Sequence, residues 1–131
     1  MGKKEWDRTV SKRFEARFKV ARERLEASAL LLGEGFPADA ASRAYYGVYE
    51  AARVLLASED VRPATHKGIE NQLGHRFRGA PIDLQIFSRL RTDRQRCDYE
   101  LDRPDPSRVS AHLDDARAFI KQAEQLVEPA R

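Results

Sequence analysis

Apolar residues recur at steps of three and four along most of this chain, and each run stops where glycine or proline interrupts it. That spacing marks helices with one buried face, because 3.6 residues per turn gathers such positions into a single stripe. Phe14, Phe18, Ala21, Leu25, Ala29 and Leu32 define a first helix, ended by Gly33, Gly35 and Pro37. Pro37 suits a first helical turn, and Ala41, Tyr45, Val48, Ala52 and Leu55 carry a second helix up to Ser58. Its small residues, Ala40, Ala41, Ala44, Gly47, Ala51 and Ala52, let a neighbouring helix come close. Thr65 is the expected N-cap of a shorter third helix through Ile69, Leu73 and Phe77, closed by Gly79 and Pro81. A fourth is expected from near Ile82 through Phe87, Leu90, Arg94, Cys97 and Leu101, stopping before Pro104. Asp105 and Pro106 form an N-cap and first-turn pair for a fifth, which carries Val109, Leu113, Ala116, Ile120, Ala123 and Val127.

Nothing alternates with period two over a useful length, so the expected fold is all-α, an up-and-down antiparallel bundle of about five helices. Residues 1–11 read as a polar N-terminal segment and residues 12–128 as one domain, since 131 residues suffice for a single core. No apolar run reaches the roughly 18 to 20 residues that cross a bilayer, which argues against membrane spans. The polar start and the single cysteine, Cys97, point to a cytoplasmic protein without an internal disulfide. His66, His75 and His112 have no companions at ligand spacing, so neither a metal nor another cofactor is expected.

A net charge of +3 is too small to argue for nucleic acid, but its distribution is uneven. Nine Lys/Arg face five Asp/Glu between Met1 and Glu26, whereas five face eight from Cys97 onward. Between Arg89 and Arg96 stand four arginines and one aspartate. Within that stretch Arg94 falls on the apolar line of the fourth helix, and arginine is seldom buried without a partner. Asp98 lies one turn on, so a structural ion pair is one reading. The other is a phosphate-binding cleft in which Arg91, Arg94 and Tyr99 present fork donors and a hydroxyl to one anionic ligand. Tyr45, Tyr46 and Tyr49 suit packing better than stacking on bases, because two of them lie near the apolar line of their helix. The Lys12–Arg24 segment reads as a solvated helix face.

Three stretches together resemble the HEPN superfamily, in particular its small stand-alone bacterial and archaeal members. Ala41–Leu56 is similar to that branch's Ser-Arg-Ala-Tyr-Tyr helix, with Arg43 in the motif. Thr65-His66-Lys67-Gly68 resembles its Thr-His-x-Gly entry to the next helix, and Arg94–Tyr99 its Arg-x-x-x-Asp-Tyr element. The resemblance implies a helical bundle that forms a homodimer and works on or near RNA. Catalytic members carry arginine and, after four to six residues, histidine: the imidazole moves the proton of a ribose 2′-hydroxyl while the guanidinium stabilises charge on the phosphate. Here Tyr99 stands where that histidine is expected, and a phenol with an ordinary pKa near 10 is a poor base at neutral pH. Glu50 likewise replaces a family-type histidine on the second helix.

The resulting expectation is a non-catalytic or partner-dependent component that binds RNA or a nucleotide. It would belong to a two-component toxin–antitoxin system whose small nucleotidyltransferase acts in trans. A metal-independent endoribonuclease and a structural dimerisation adaptor are the alternatives. The candidate binding residues are Arg43, His66, Arg91, Arg94, Asp98 and Tyr99; in the ribonuclease alternative Arg94 binds phosphate while Tyr99, His66 or a group of a second subunit handles the proton, and Tyr99 is otherwise either an acceptor of a transferred nucleotide or a packing and hydrogen-bonding residue beside Asp98.

Overall fold

The computed structural model describes residues 8–99 and 103–127. They form five α-helices: α1 (Arg8–Gly33), α2 (Pro37–Ala57), α3 (His66–Phe77), α4 (Gln85–Tyr99) and α5 (Pro106–Val127). No strand occurs among the described residues, and none of their helices is long and apolar enough to cross a membrane.

Helix α2 is the centre of the bundle, packing against α1, α3, α4 and α5, while α5 also closes on α1 and α4. Its composition explains this position. Ala40, Ala44, Ala51 and Ala52 are wholly buried, and Gly47 faces α1 so closely that a Cβ there would lie 2.5 Å from Leu25 Cδ2 and 3.1 Å from the Ala21 carbonyl oxygen. At the same contact the buried Ser28 hydroxyl donates to the Ala40 carbonyl at 2.7 Å, so no polar group is left unpaired there. Tyr45, Leu55, Leu56, Phe87 and Phe119 are the largest side chains enclosed by the bundle. The small-residue face of α2 and the Phe87–Leu90–Cys97 line of α4 are thus buried within one chain.

The helix ends follow local chemistry. Thr65 Oγ1 accepts from the Gly68 amide at 2.9 Å, and Asp105 Oδ1 accepts from the Ser107 amide at 2.8 Å with Pro106 opening α5. Gly35, at φ +89°, turns the chain from α1 into α2. Two boundaries differ from expectation. Helix α1 begins at Arg8, ahead of the first apolar position Phe14, and so includes residues 8–11 of the segment expected to precede the domain. Helix α4 begins at Gln85 rather than near Ile82, because the Ile82 amide is drawn to the Ala80 carbonyl and Asp83 Oδ1 accepts from the Gln85 amide as a local cap. Leu101, expected near the end of α4, lies outside the described residues.

Candidate functional site

Three helices meet around a cluster of rings. Tyr45, Tyr46 and Tyr49 lie on the side of α2 that faces α3 and α4, Tyr45 fully buried and the other two half-buried. His66 opens α3, and the local sequence holds it there. Thr65 caps the helix, and Gly68 leaves room for the cap, since a Cβ at that position would lie 2.9 Å from Thr65 Oγ1 and 3.2 Å from Pro63 Cβ. The imidazole so placed stacks on Tyr49 with centroids 4.6 Å apart and planes 25° from parallel, and its Nδ1 meets the Tyr45 hydroxyl at 2.5 Å.

Helix α4 supplies the charge. The Arg94 guanidinium carbon stands 5.3 Å from the Tyr45 ring centroid and 5.5 Å from that of Tyr46. One of its terminal nitrogens donates to the Tyr46 hydroxyl at 3.4 Å and to Asp98 at 3.3 Å, so the expected ion pair is present. Arg91, one turn earlier, donates to Glu70 of α3 at 3.0 Å. In both arginines Nε is buried and has no hydrogen-bond partner among the described residues.

Burial pushes the Tyr45 phenol above its ordinary value of 10.0, with Arg94 and Arg91 pulling the other way but losing. Burial and then the same two cations hold His66 below its ordinary 6.5. The phenol therefore keeps its proton at neutral pH, and because Nδ1 is its one hydrogen-bond partner among the described residues, the tautomer that satisfies a buried hydroxyl is the one in which Nδ1 accepts. A neutral imidazole whose Nδ1 lone pair is occupied carries its own hydrogen on Nε2, so His66 offers the site a donor rather than a base. Arg94, Arg91 and this N–H, set beside half-buried aromatic faces, are complementary to an anion attached to a flat ring.

The sequence-derived candidates divide accordingly. The structure brings Arg91, Arg94, Asp98 and His66 together, and makes Tyr46 and Tyr49 part of the cluster rather than simple packing. Tyr99 ends α4 at 77% exposure and Arg43 is exposed on α2; no hydrogen bond, ion pair or ring contact ties either to the cluster. Glu50, in the place of the family-type histidine, faces Arg17 at 3.7 Å and Arg53 at 3.8 Å.

Two groups escaped sequence reasoning. Glu70 anchors Arg91 from another helix. Asp93 is buried and faces Arg108 at 3.0 Å and His112 at 3.7 Å, fastening α4 to α5. Its signal was available, because Asp93 follows Leu90 by three residues and precedes Cys97 by four, on the same apolar stripe. No group of three or more His, Cys, Asp or Glu residues arranged to hold a metal ion occurs among the described residues.

Comparison with known proteins bears on this site. A family model described as "HEPN domain" matches residues 14–131. The protein named "Putative toxin MJ0605" of Methanocaldococcus jannaschii is 24% identical over 126 residues, 93% of this chain and 94% of its own length. The UPF0332 protein PH1297 of Pyrococcus horikoshii is 30% identical over 83 residues, 63% of this chain and 58% of that protein.

Proposed function

This chain belongs to the HEPN domain family, and from that premise we propose that it is a toxin-like component that binds RNA or a nucleotide at the ring and arginine cluster. The end-to-end similarity to a relative named as a toxin supports the first half of that reading. Arg94 carries the second. It is 13% exposed, spread over two aromatic rings and held by Asp98 through one terminal nitrogen, with no hydrogen-bond partner for its Nε among the described residues. A guanidinium held this way is ready to meet phosphate through its fork without further ordering.

Binding rather than cleavage is the primary reading because, in the tautomer that accepts from Tyr45 at Nδ1, His66 carries its hydrogen on Nε2 and has no lone pair for a ribose proton. Partnership completes the proposal. The working assembly is a homodimer, served in trans by a small nucleotidyltransferase for which Tyr99 is the acceptor. Among the four tyrosines only its hydroxyl stands on a largely exposed side chain. The second reading, a metal-independent endoribonuclease, is favoured by one observation, the presence of an imidazole and two arginines in the same cluster.

The test is an Arg94→Lys variant measured against a fluorescent single-stranded oligoribonucleotide. Affinity should fall roughly tenfold, equivalent to about 1.4 kcal/mol, with a melting temperature close to that of the parent. A strong loss of stability with unchanged affinity would make Arg94 a structural ion-pair residue and remove the reading. Cleavage of the RNA by the parent, abolished in the variant, would establish the ribonuclease instead.

A further inference from the structure

We infer that the ligand site does not end at the rings but continues through Arg53 into a second, basic groove between α1 and the end of α2, so that the ligand is a single-stranded polynucleotide rather than one nucleotide. This rests on the proposed binding at Arg94 and extends it.

Arg53 is the link. Its guanidinium carbon stands 5.7 Å from the centroid of Tyr49, the ring on which His66 stacks, and the same residue lines a groove of about 380 Å³ with Arg13, Arg17 and Arg62. The floor is apolar, from Val54, Ala57 and Val61. Four arginines thus meet two carboxylates, Asp60 and Glu50. Glu50 lies between Arg17 and Arg53, too far from either for a hydrogen bond, and so spaces the two guanidinium groups without consuming their donors. Arg17, Arg53 and Arg62 have side chains 54%, 43% and 67% exposed and so can be reached by an incoming anion, although Arg62 faces Asp60 at 4.0 Å. Arg13 is exposed and carries no ion pair among the described residues.

Two clusters of fork donors joined by an aromatic face match a chain of phosphates with unpaired bases between them. Bases in a duplex are stacked on each other and cannot lie on such rings, so the chemistry selects a single strand. A peptide of carboxylates alone would satisfy the arginines but has nothing for Tyr46 and Tyr49 to stack on.

The experiment compares the full chain with an Arg13→Ala/Arg62→Ala variant, using adenosine monophosphate and an oligoadenylate of about eight nucleotides as probes. The parent should bind the oligomer at least tenfold more tightly than the monophosphate. In the variant the oligomer should weaken roughly tenfold and the monophosphate remain within about twofold. The slope of log affinity against log salt for the oligomer should flatten by about 0.7 for each lost phosphate contact. An unchanged oligomer affinity and salt slope, with Arg94→Lys still weakening the monophosphate, would overturn the extension and leave the first site standing. If neither probe depends on Arg94, both fall. Equal affinity for a polyglutamate peptide of matched charge would overturn the assignment to nucleic acid.

Discussion

The hydrogen bond between Tyr45 and His66 is a one-way device: a phenol pushed up by burial donates to an imidazole held down by burial and two arginines. The lowered imidazole pKa has a consequence for stability. Below the ordinary value of 6.5 the unfolded chain binds a proton that the folded chain resists. This contribution is therefore complete above that value and is lost as pH falls through the lowered folded one. Replacing Arg94 by Gln removes one of the two cations that disfavour the charged ring. An NMR titration should then show the His66 pKa moving up toward 6.5, while burial and Arg91 still hold it below that value. An unmoved titration would show that Arg94 does not act on the imidazole. Arg94 and its Asp98 partner are legible in the sequence because both lie on one helix, one turn apart. Asp93 is harder to see for a geometrical reason. From Leu90 a step of four reaches Arg94 and a step of three reaches Asp93; the two side chains diverge, one toward the rings of α2 and the other toward Arg108 and His112 of α5.

Among the helices, the contact between α1 and α2 depends most on size, because Gly47 leaves Leu25 and the Ala21 carbonyl no room for a side chain opposite them. Gly47→Val should cost about 1–3 kcal/mol in urea unfolding through overpacking. Gly74→Ala in α3, where nothing lies within 4 Å of the added methyl, should instead stabilise by about 0.4–1 kcal/mol by restricting the unfolded chain. Equal effects at the two sites would refute the close approach. Helix starts were readable wherever a side chain caps its own helix, as at Thr65 and Asp105. The start of α4 was not, because Asp83 is fixed partly by α5, its amide donating to Gln122. Glu70 was hidden for the same reason: spacing within one helix does not encode which residue of another helix will face it.

At the scale of the whole bundle, few large apolar groups among the described residues stay outside, Leu30 at 67% and Phe36 at 54% exposure together with Tyr99. The dimer we expect must therefore form on a surface other than the small-residue face of α2, which α1 already occupies. Light scattering at micromolar concentration should report roughly twice 15.0 kDa, a closed two-fold pair being the commonest soluble assembly. A mass of one chain would leave the site to be completed within the protomer. The central place of α2 has its counterpart in α3, whose main packing is against α2 alone. A segment held along one side can detach by local opening at a fraction of the free energy of global unfolding. His66 and Glu70 travel with it, whereas Arg91, Arg94 and the tyrosines stay with the better-fastened helices. When α3 lifts, the imidazole leaves its ring and Arg91 loses its carboxylate in the same event. If the proposed ligand spans α3 and α4, its lifetime should follow the opening of that one short helix, read as hydrogen exchange of the α3 amides.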